Sequence, residues 1–559
     1  MKVHHISNII VGAGPSGIQQ AYYLDKQNFG YIVLEKSAHV ASFFQTFPIQ
    51  RGLISINKVN CGHTNPLENM ENILRYDWNS LLLMKDDYGK ILFRDFSSMY
   101  YPRADDLVKY LDAFVKLFNL QIRLNTTVVK IIKNKDSFCL ITTDTIYTCD
   151  RLFIGSGLQL KRLNFQVSPP SNKAFYYYDT LPKDDDVFKN RNILIIGGGN
   201  AAFEVANYVN DHCNRLTILA SEKFGWNTHY PGYIRSVNMK ILDSYYLKMK
   251  LTIDWVGNVN LRHDPRFLKN IHEIRTGELF NNYDIIIYCG GYEPSYTIFD
   301  ETVVIDKDKY NFPTLTPFFE STSVPNLFFI GALSQGSDYK HGTSAFIHGF
   351  RYNIKLISSY ISKTFESFQK IDITQCFKKA FSNLNKSSCL LHRFDFFGDF
   401  IFVYESNYTY VSNLPLSLIS CEKSLSVLLG DSPPPLYVIQ VYLGYDPRNK
   451  FEPSFTQPQT GNPYTRDISV FLHPIIKIFH HDGRWICRHE FHIPENGFNM
   501  FIGYQYHFSL IYNFMELIDE NKNNKDIFKI LECFQNLITF KYDPSKHEGE
   551  TASLSHYLD

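Results

Sequence analysis

Two short glycine turns, each between an apolar strand and a helix, constrain the fold of this chain more than any other feature. The first lies in "NIIVGAGPSG" (8–17) and the second in "ILIIGGGNAAFE" (193–204). Such a turn lets the backbone approach a pyrophosphate, which sits at the helix N-terminus, where free N–H groups and the helix dipole favour an anion. Two turns therefore predict two nucleotide sites.

The first turn has every part of a dinucleotide-binding unit in the expected order. The strand after its helix, "YIVLEK", ends in Glu35, which is placed to accept hydrogen bonds from a ribose hydroxyl. The predicted cofactor contacts at this site are Gly12, Gly14, Pro15, Ser16, Gly17, Glu35 and Lys36.

The second turn repeats this pattern without an acid at the tip of the following strand, "RLTILA". Ala220 and Ser221 stand there instead, followed by Glu222 and Lys223. An acid at the tip favours NADH and a basic residue favours NADPH, so the choice between the two stays open. The predicted contacts at this site are Gly197, Gly199, Asn200, Ala202, Ser221 and Lys223.

Three further apolar segments predict buried parallel strands whose ends must stay small beside a cofactor: 151–157, 284–292 and 326–332. We expect an α/β fold with two Rossmann-like dinucleotide-binding domains, the second inserted in the first, plus a C-terminal α+β domain. The predicted boundaries are 1–165 with 323–362 for the first domain, 166–322 for the second and 363–559 for the third.

A loop and a helix follow the last of these strands. We expect the helix to begin near Thr343 and to point its N-terminus at a bound cofactor. Gly331 and His341 are candidate cofactor contacts in this region, and Trp78 in "YDWNSLL" is a candidate wall of the same site.

The amino-acid composition limits the kinds of partner and location that we expect for this protein. Lys+Arg and Asp+Glu both number 56, so the formal charge is zero and nothing favours nucleic-acid binding. No apolar run is long enough for a membrane span, and the first strand begins almost at the N-terminus, so we expect a cytoplasmic protein. The ten cysteines form no C-x-x-C, and no Cys/His set has zinc spacing, so we expect no metal.

The chain resembles flavin-containing monooxygenases in the order of an Asn-bearing segment (54–59), an F-x-D-F stretch (93–96), a helix and a strand after the first turn. The segments "LISINK", "FIHGFRY" and "FLHPII" resemble the family of FAD-dependent oxidoreductase domain-containing protein 2-like flavoproteins, which is associated with degradation in the endoplasmic reticulum. The resemblance implies FAD in the first site and NADPH in the second, with NADH as the alternative.

The same resemblance implies an FAD-dependent NAD(P)H oxidoreductase. The predicted function is a monooxygenase that uses O₂ and a flavin C4a-hydroperoxide to oxygenate a small molecule. Asn57 would steady the oxygenated flavin, and His229 is a candidate acid–base group. The alternative is a flavoprotein adaptor that acts on protein clients with little turnover. The C-terminal domain would cap the cavity or form a homodimer.

Overall fold

The computed structural model describes residues 3–62, 65–162, 173–220, 240–241, 252–256, 281–339, 342–365, 369–371, 373–404, 407–430, 432–444 and 472–492. The α-helices in these ranges are α1 Pro15–Lys26, α2 Ser42–Thr46, α3 Pro66–Tyr76, α4 Ala104–Leu117, α5 Asn200–Val209, α6 Ile347–Ser362, α7 Ile373–Lys386, α8 Ser388–His392 and α9 Glu422–Leu429. None of them combines the length and the apolar composition that crossing a bilayer requires.

The strands in these ranges fall into three large sheets and two small ones. They are β1 Val3–His5, β2 Asn8–Val11, β3 Tyr31–Leu34, β4 Ile122–Arg123, β5 Val128–Lys133, β6 Phe138–Thr142, β7 Ile146–Cys149, β8 Arg151–Ile154, β9 Gln159–Leu160, β10 Ala174–Tyr177, β11 Asn192–Ile196, β12 Arg215–Leu219, β13 Ile253–Val256, β14 Ile285–Tyr288, β15 Tyr292–Glu293, β16 Leu327–Phe329, β17 Gln369–Ile371, β18 Phe397–Val403, β19 Tyr408–Pro415, β20 Tyr437–Gly444, β21 His473–His481 and β22 Trp485–His492.

The first parallel sheet has the order β16-β8-β2-β3-β4. Its central strand is buried on both faces, since Ile10 belongs to the core shared with α1 and α6 whereas Ile9 and Val11 belong to the core on the opposite face. The four-stranded sheet β1-β7-β6-β5 covers that opposite face. Burial on both sides explains the near-continuous apolar runs in the sequence.

The second parallel sheet has the order β10-β14-β11-β12-β13 and carries α5. All its strands come from residues between β8 and β16, which are neighbours in the first sheet. The chain leaves through β9 and returns through β15, and these two short strands pair with each other. The predicted α/β class and the insertion of the second domain are confirmed, while the exact domain boundaries stay a prediction.

The C-terminal part forms an antiparallel six-stranded sheet, β17-β19-β18-β20-β21-β22, with α7, α8 and α9. Its α+β character agrees with the predicted fold class. Its core is continuous with that of the first sheet, because Tyr22 and Phe114 belong to the same buried cluster as Phe400 and Ile439. Within the described residues, the C-terminal unit is therefore part of the first unit's core.

The helix expected near Thr343 begins four residues later, at Ile347. A Cβ atom on Gly349 would lie 2.0 Å from the carbonyl oxygen of Thr343, so the chain at Thr343 folds back against the helix. The Thr343 hydroxyl donates to the carbonyl oxygen of His392 over 2.5 Å and caps no helix. Thr343 is thus engaged by His392, a residue far along the chain, and α6 begins only after it, at Ile347.

Candidate dinucleotide cavity

One cavity of about 1250 Å³ lies between the two parallel sheets and is lined by both glycine turns. Gly12 and Gly14 contribute from the first turn, and Gly197 and Gly199 contribute from the second. Both predicted nucleotide sites therefore open into the same space.

The first turn is shaped by backbone that has no room for side chains. Gly12 has a φ of +102°, and a Cβ atom there would lie 2.6 Å from the carbonyl oxygen of Gly155. A Cβ atom on Gly17 would lie 1.9 Å from the carbonyl oxygen of Gly12, so α1 packs directly on the turn. Gly14 has nothing within 4 Å of its Cβ position. The open side of this turn faces the cavity, as a cradle for a pyrophosphate does.

Glu35 stands at the end of β3 on the cavity wall. Its Oε2 accepts the N–H of Ala13 at 2.7 Å, and its Oε1 accepts the N–H of Ser37 at 2.9 Å. These two bonds fix a buried carboxylate beside the turn, and each oxygen keeps a lone pair for a further donor. This arrangement suits the predicted contact to ribose hydroxyls.

The second turn has the same construction. Gly197 has a φ of +131°, and a Cβ atom there would lie 2.2 Å from the carbonyl oxygen of Cys289, whereas Gly199 has nothing within 4 Å. Gly199 precedes α5 and leaves the helix N-terminus open to the cavity. The Oδ1 atom of Asn200 is buried and has no hydrogen-bond partner among the described residues. This turn also forms a cradle that a Cβ atom would fill.

The predicted contacts divide into three groups. The residues that line the cavity are Gly12, Gly14, Pro15, Ser16, Glu35, Lys36, Trp78, Gly197, Gly199 and Asn200. Gly17, Ala202 and Gly331 lie behind the wall, and a Cβ atom on Gly331 would lie 2.4 Å from Oγ of Ser16. Ser221, Lys223, His229 and His341 lie outside the described residues.

Asn57 lies behind the cavity wall. Its side-chain nitrogen donates to the carbonyl oxygens of Ser97 at 2.7 Å and Met99 at 3.3 Å. Asn57 is not among the described lining residues of the cavity, its Oδ1 atom is buried without a hydrogen-bond partner among the described residues, and its contact to a flavin stays a prediction. Asn79 lines the cavity instead and accepts the hydroxyl proton of Ser55 over 2.5 Å.

An aromatic loop from the first unit meets the second unit across the cavity. The ring of Phe47 stacks on that of Tyr178 with centroids 5.3 Å apart, and Phe43 and Tyr292 complete the wall. These four rings give this part of the cavity an apolar wall, of which Phe43 is 44% exposed.

The sequence analysis missed a carboxyl group beside these rings. Tyr178 donates its hydroxyl proton to Oε2 of Glu204 over 2.5 Å, and both residues line the cavity. Burial raises the pKa of Glu204 to about 7, although the hydrogen bond from Tyr178 opposes the shift. A charged residue inside the apolar stretch "AAFEVA" was the signal that could have found it.

His348 also lines the cavity. Its ring centroid lies 4.3 Å from that of Trp78, and His392 packs edge-on against the same ring. Burial lowers the pKa of His392 well below its ordinary value, and the positive charge of Arg351 adds to this effect. Its Nδ1 lies 3.3 Å from Nη2 of Arg351 and its Nε2 lies 3.3 Å from the carbonyl oxygen of Arg75, so polar contacts hold the ring as well as packing.

A family model described as pyridine nucleotide-disulphide oxidoreductase matches residues 9–331, which is more than half of the chain. The chain belongs to this family. Its members use FAD and a pyridine nucleotide, and the two turns have the shape that these groups require. This protein is an FAD-dependent oxidoreductase.

The predicted resemblance to FAD-dependent oxidoreductase domain-containing protein 2 is confirmed. The mouse protein of that name is 29% identical over 529 residues, which cover 85% of this chain and 76% of the mouse protein. Two solved structures are similar to 64% of the chain. They are bacillithiol disulfide reductase from Staphylococcus aureus (17% identity, 98% of that chain, TM-score 0.46) and a flavin-containing monooxygenase from Stenotrophomonas maltophilia (14%, 99%, 0.45).

Proposed function

We propose that this oxidoreductase is a flavin monooxygenase that oxidises NAD(P)H and transfers one oxygen atom of O₂ to a small molecule. The observation that carries the proposal is the shared cavity, which joins both nucleotide turns and holds a single cysteine, Cys289, among its described lining residues. Electrons that enter from a pyridine nucleotide therefore meet no thiol pair in the described wall.

Cys289 is unsuited to thiol chemistry. Its side chain is buried, and burial raises the pKa of its thiol, so little of the reactive thiolate forms at neutral pH. A disulphide-reducing cycle needs a second cysteine to resolve the first, and the sequence has no C-x-x-C. These facts favour O₂ over a protein disulphide as the electron acceptor.

The chain's own residues bind the two nucleotides, orient them and keep water out of the space between them. The open turns at Gly14 and Gly199 hold the two pyrophosphates, and Glu35 holds a ribose of FAD. The aromatic wall around Phe47 keeps water out of the space between the nucleotides. Bound FAD supplies the hydride acceptor and the activation of O₂. We assign to Asn79, rather than Asn57, the polar contact beside the flavin, because Asn79 lines the cavity.

We propose NADPH as the reductant, with NADH as the alternative. The proposed compartment is the cytoplasm, and the proposed assembly is a homodimer through residues 363–559. His229 keeps its proposed acid–base role.

The test is stopped-flow spectroscopy of the purified flavoprotein. The flavin is reduced anaerobically with NADPH or with NADH, and each sample is mixed with oxygenated buffer. A transient absorbance that belongs to neither oxidised nor reduced flavin, together with faster NAD(P)H consumption when a substrate is added, supports the proposal. Direct return to oxidised flavin with release of hydrogen peroxide overturns it, and the ratio of the two reduction rates identifies the nucleotide.

A thiol control separates this reaction from disulphide reduction. The Cys289→Ser variant keeps NAD(P)H oxidation within twofold of the parent if oxygen is the acceptor. Loss of activity in this variant, with FAD still bound, contradicts the proposed electron route.

A further inference from the structure

One arginine ties the aromatic loop, residues 42–50 with the short helix α2, to the rest of the first unit. Arg51 directly follows this loop. Its Nη2 donates to the carbonyl oxygen of Phe44 at 2.5 Å, and its Nη1 donates to that of Phe47 at 3.5 Å. Its Nε and Nη2 also donate to Oδ1 of Asp105, at 3.1 Å and 2.8 Å. The guanidinium therefore joins two backbone carbonyls of the loop to the first turn of α4.

This arrangement depends on the shape of the guanidinium. An arginine presents five N–H donors in one rigid plane, so it can hold several oxygens at fixed relative positions. The hydrogen bonds from Arg51 are the main cause that lowers the pKa of Asp105, so this carboxylate stays charged at neutral pH. The Arg51 side chain is only 18% exposed, whereas that of Asp105 is 47% exposed. The arginine thus lies under the loop, with its anchor at the surface.

The backbone of Arg51 is held in a conformation that few residues other than glycine adopt. Its φ is +66°, in the left-handed region. Its carbonyl oxygen accepts the N–H of Ala104 at 2.7 Å, and the N–H of Leu53 donates to the carbonyl oxygen of Pro102 at 2.8 Å. Such a conformation persists only where the surroundings impose it, as they do beside many ligand sites. Pairing with the start of α4 therefore fixes the base of the loop.

The far side of the loop packs on the second unit. Phe47, Ile49 and Ile54 lie against the core of that unit, although they belong to the first unit by sequence. The ring of Phe47 stacks on Tyr178, and the N–H of Ile49 donates to the Tyr178 hydroxyl at 3.4 Å. Tyr178 in turn donates to Glu204 in α5, the helix that begins at the second glycine turn. A continuous series of contacts therefore joins α4 to that turn.

We propose that Arg51 is a positioning residue for hydride transfer between the two nucleotides. By holding the aromatic loop, it sets the distance between a pyridine nucleotide at the second turn and the flavin at the first turn. Each nucleotide is held by its own turn, so Arg51 controls the rate of transfer and leaves the two affinities unchanged. A displacement of about 1 Å slows a reaction of positioned groups by about a hundredfold. The inference rests on the proposed reduction of FAD by NAD(P)H.

The variant Arg51→Asn tests the proposal without straining the chain. Asparagine tolerates a positive φ, and its side chain is too short to bridge Phe44 and Asp105. Anaerobic stopped-flow reduction over a range of NAD(P)H concentrations gives both the limiting rate and the dissociation constant of the nucleotide. We expect a limiting rate at least tenfold lower than that of the parent, with the dissociation constant within twofold and FAD retained. If Arg51→Asn fails to fold, Arg51→Gly replaces it, because glycine adopts this φ freely.

Arg103→Gln is the matched control. Arg103 is the second arginine beside Asp105, at 3.6 Å, and its side chain is 53% exposed. Among the described residues it has no hydrogen bond to the aromatic loop, so its loss removes a charge from the same carboxylate and leaves the loop in place. This variant must keep the parental limiting rate.

Hydrogen exchange on the apoprotein gives a second readout that needs no bound nucleotide. Arg51→Asn must weaken protection at the N–H of Ile49, which donates to Tyr178. Protection at Leu53 and Ala104 must stay parental, because their N–H groups pair at the base of the loop. This contrast distinguishes release of the loop from general unfolding.

The outcomes separate this inference from the proposed function. A parental limiting rate in Arg51→Asn overturns the inference, and so does a lower rate with parental protection at Ile49. In both cases reduction by NAD(P)H still stands. A parental protein that neither NADPH nor NADH reduces overturns the proposed function together with the inference.

Discussion

Tyr178 and Glu204 share a hydrogen bond of 2.5 Å on the wall of a cavity that both nucleotide turns line. The two residues come from different elements, since Tyr178 follows β10 and Glu204 lies in the second turn of α5. The bond places a protonatable group at the junction of the two units. Burial raises its pKa to about 7, so it changes charge in the physiological range.

The raised pKa of Glu204 predicts a pH-dependent stability. A carboxyl whose pKa rises on folding favours the folded state below its unfolded pKa of 4.5, and this contribution is lost as pH rises through about 7. The rise in pKa from 4.5 to about 7 corresponds to about 3 kcal/mol of folding free energy, because one pKa unit equals ~1.4 kcal/mol. Glu204→Gln must flatten the fall in melting temperature between pH 4.5 and 7, measured by thermal unfolding.

Tyr178→Phe is the control for this assignment. Loss of the hydroxyl removes the hydrogen bond that lowers the pKa of Glu204, so the fall in melting temperature must still begin near pH 4.5 but extend to higher pH. An unchanged pH profile in both variants would show that another group controls the titration.

The two open glycines separate the two nucleotides. Gly14→Ala and Gly199→Ala each add one methyl group on the cavity side, where no atom of the described residues beyond the local backbone lies within 4 Å, so we expect both variants to fold. We expect Gly14→Ala to weaken FAD binding at least tenfold, and Gly199→Ala to keep the flavin and weaken NAD(P)H binding by a similar factor. Flavin absorbance and the concentration dependence of anaerobic reduction measure the two effects. If Gly199→Ala loses its flavin, the assignment of the turns is reversed.

The shared core predicts that the first unit and the C-terminal unit unfold together. Phe400 is fully buried in β18, within the cluster that includes α1. Phe400→Ala must cost about 3–5 kcal/mol and release FAD at a lower temperature, in the same transition as the loss of helix. Flavin fluorescence and far-ultraviolet circular dichroism follow the two events. Val427→Ala, at a position 44% exposed, is the control and must change neither.

The hydrogen bonds from Arg351 to backbone carbonyl oxygens predict a large effect of this residue on stability. Its Nη1 donates to the carbonyl oxygens of Asp77 at 3.1 Å and Ser80 at 2.8 Å, and its Nη2 donates to that of Leu74 at 3.0 Å. Arg351→Met leaves these buried oxygens without donors, so we expect a loss of about 3 kcal/mol or more. Urea unfolding measures it.

Arg123→Met is the matched comparison for Arg351→Met. Arg123 is paired with Asp144 at the surface, and such pairs contribute about 1 kcal/mol or less. Equal losses in the free energy of unfolding for the two variants would contradict the claim that burial makes the Arg351 hydrogen bonds more stabilising than a surface ion pair.

Local patterns were enough to predict the parallel strands and the turns. Buried parallel strands are continuous apolar runs, so β8, β14 and β16 are visible in the sequence as separate segments. Gly12 and Gly197 mark turns because their positive φ values suit glycine. The insertion followed from the order of these segments, since the second turn lies between two strands of the first sheet.

The features that could not be predicted from the sequence depend on contacts between distant segments of the chain. Asn57 and Asp77 pair as an antiparallel bridge, and Asn79, two residues after Asp77, is among the described lining residues of the cavity whereas Asn57 is not. Asp338 and Arg393 form a buried ion pair although they are 55 positions apart, and no local pattern marks either of them. The core shared by α1 and β18 likewise depends on tertiary packing and has no signature in either segment.

The paired strands β9 and β15 have a mechanical consequence. They attach the inserted unit to the first unit at two neighbouring points, so the two units stay tethered to each other. A nucleotide bound to the inserted unit therefore meets the flavin within one molecule, because the ribbon tethers the two sites to each other. The frequency of that encounter is a property of the single molecule and does not change on dilution.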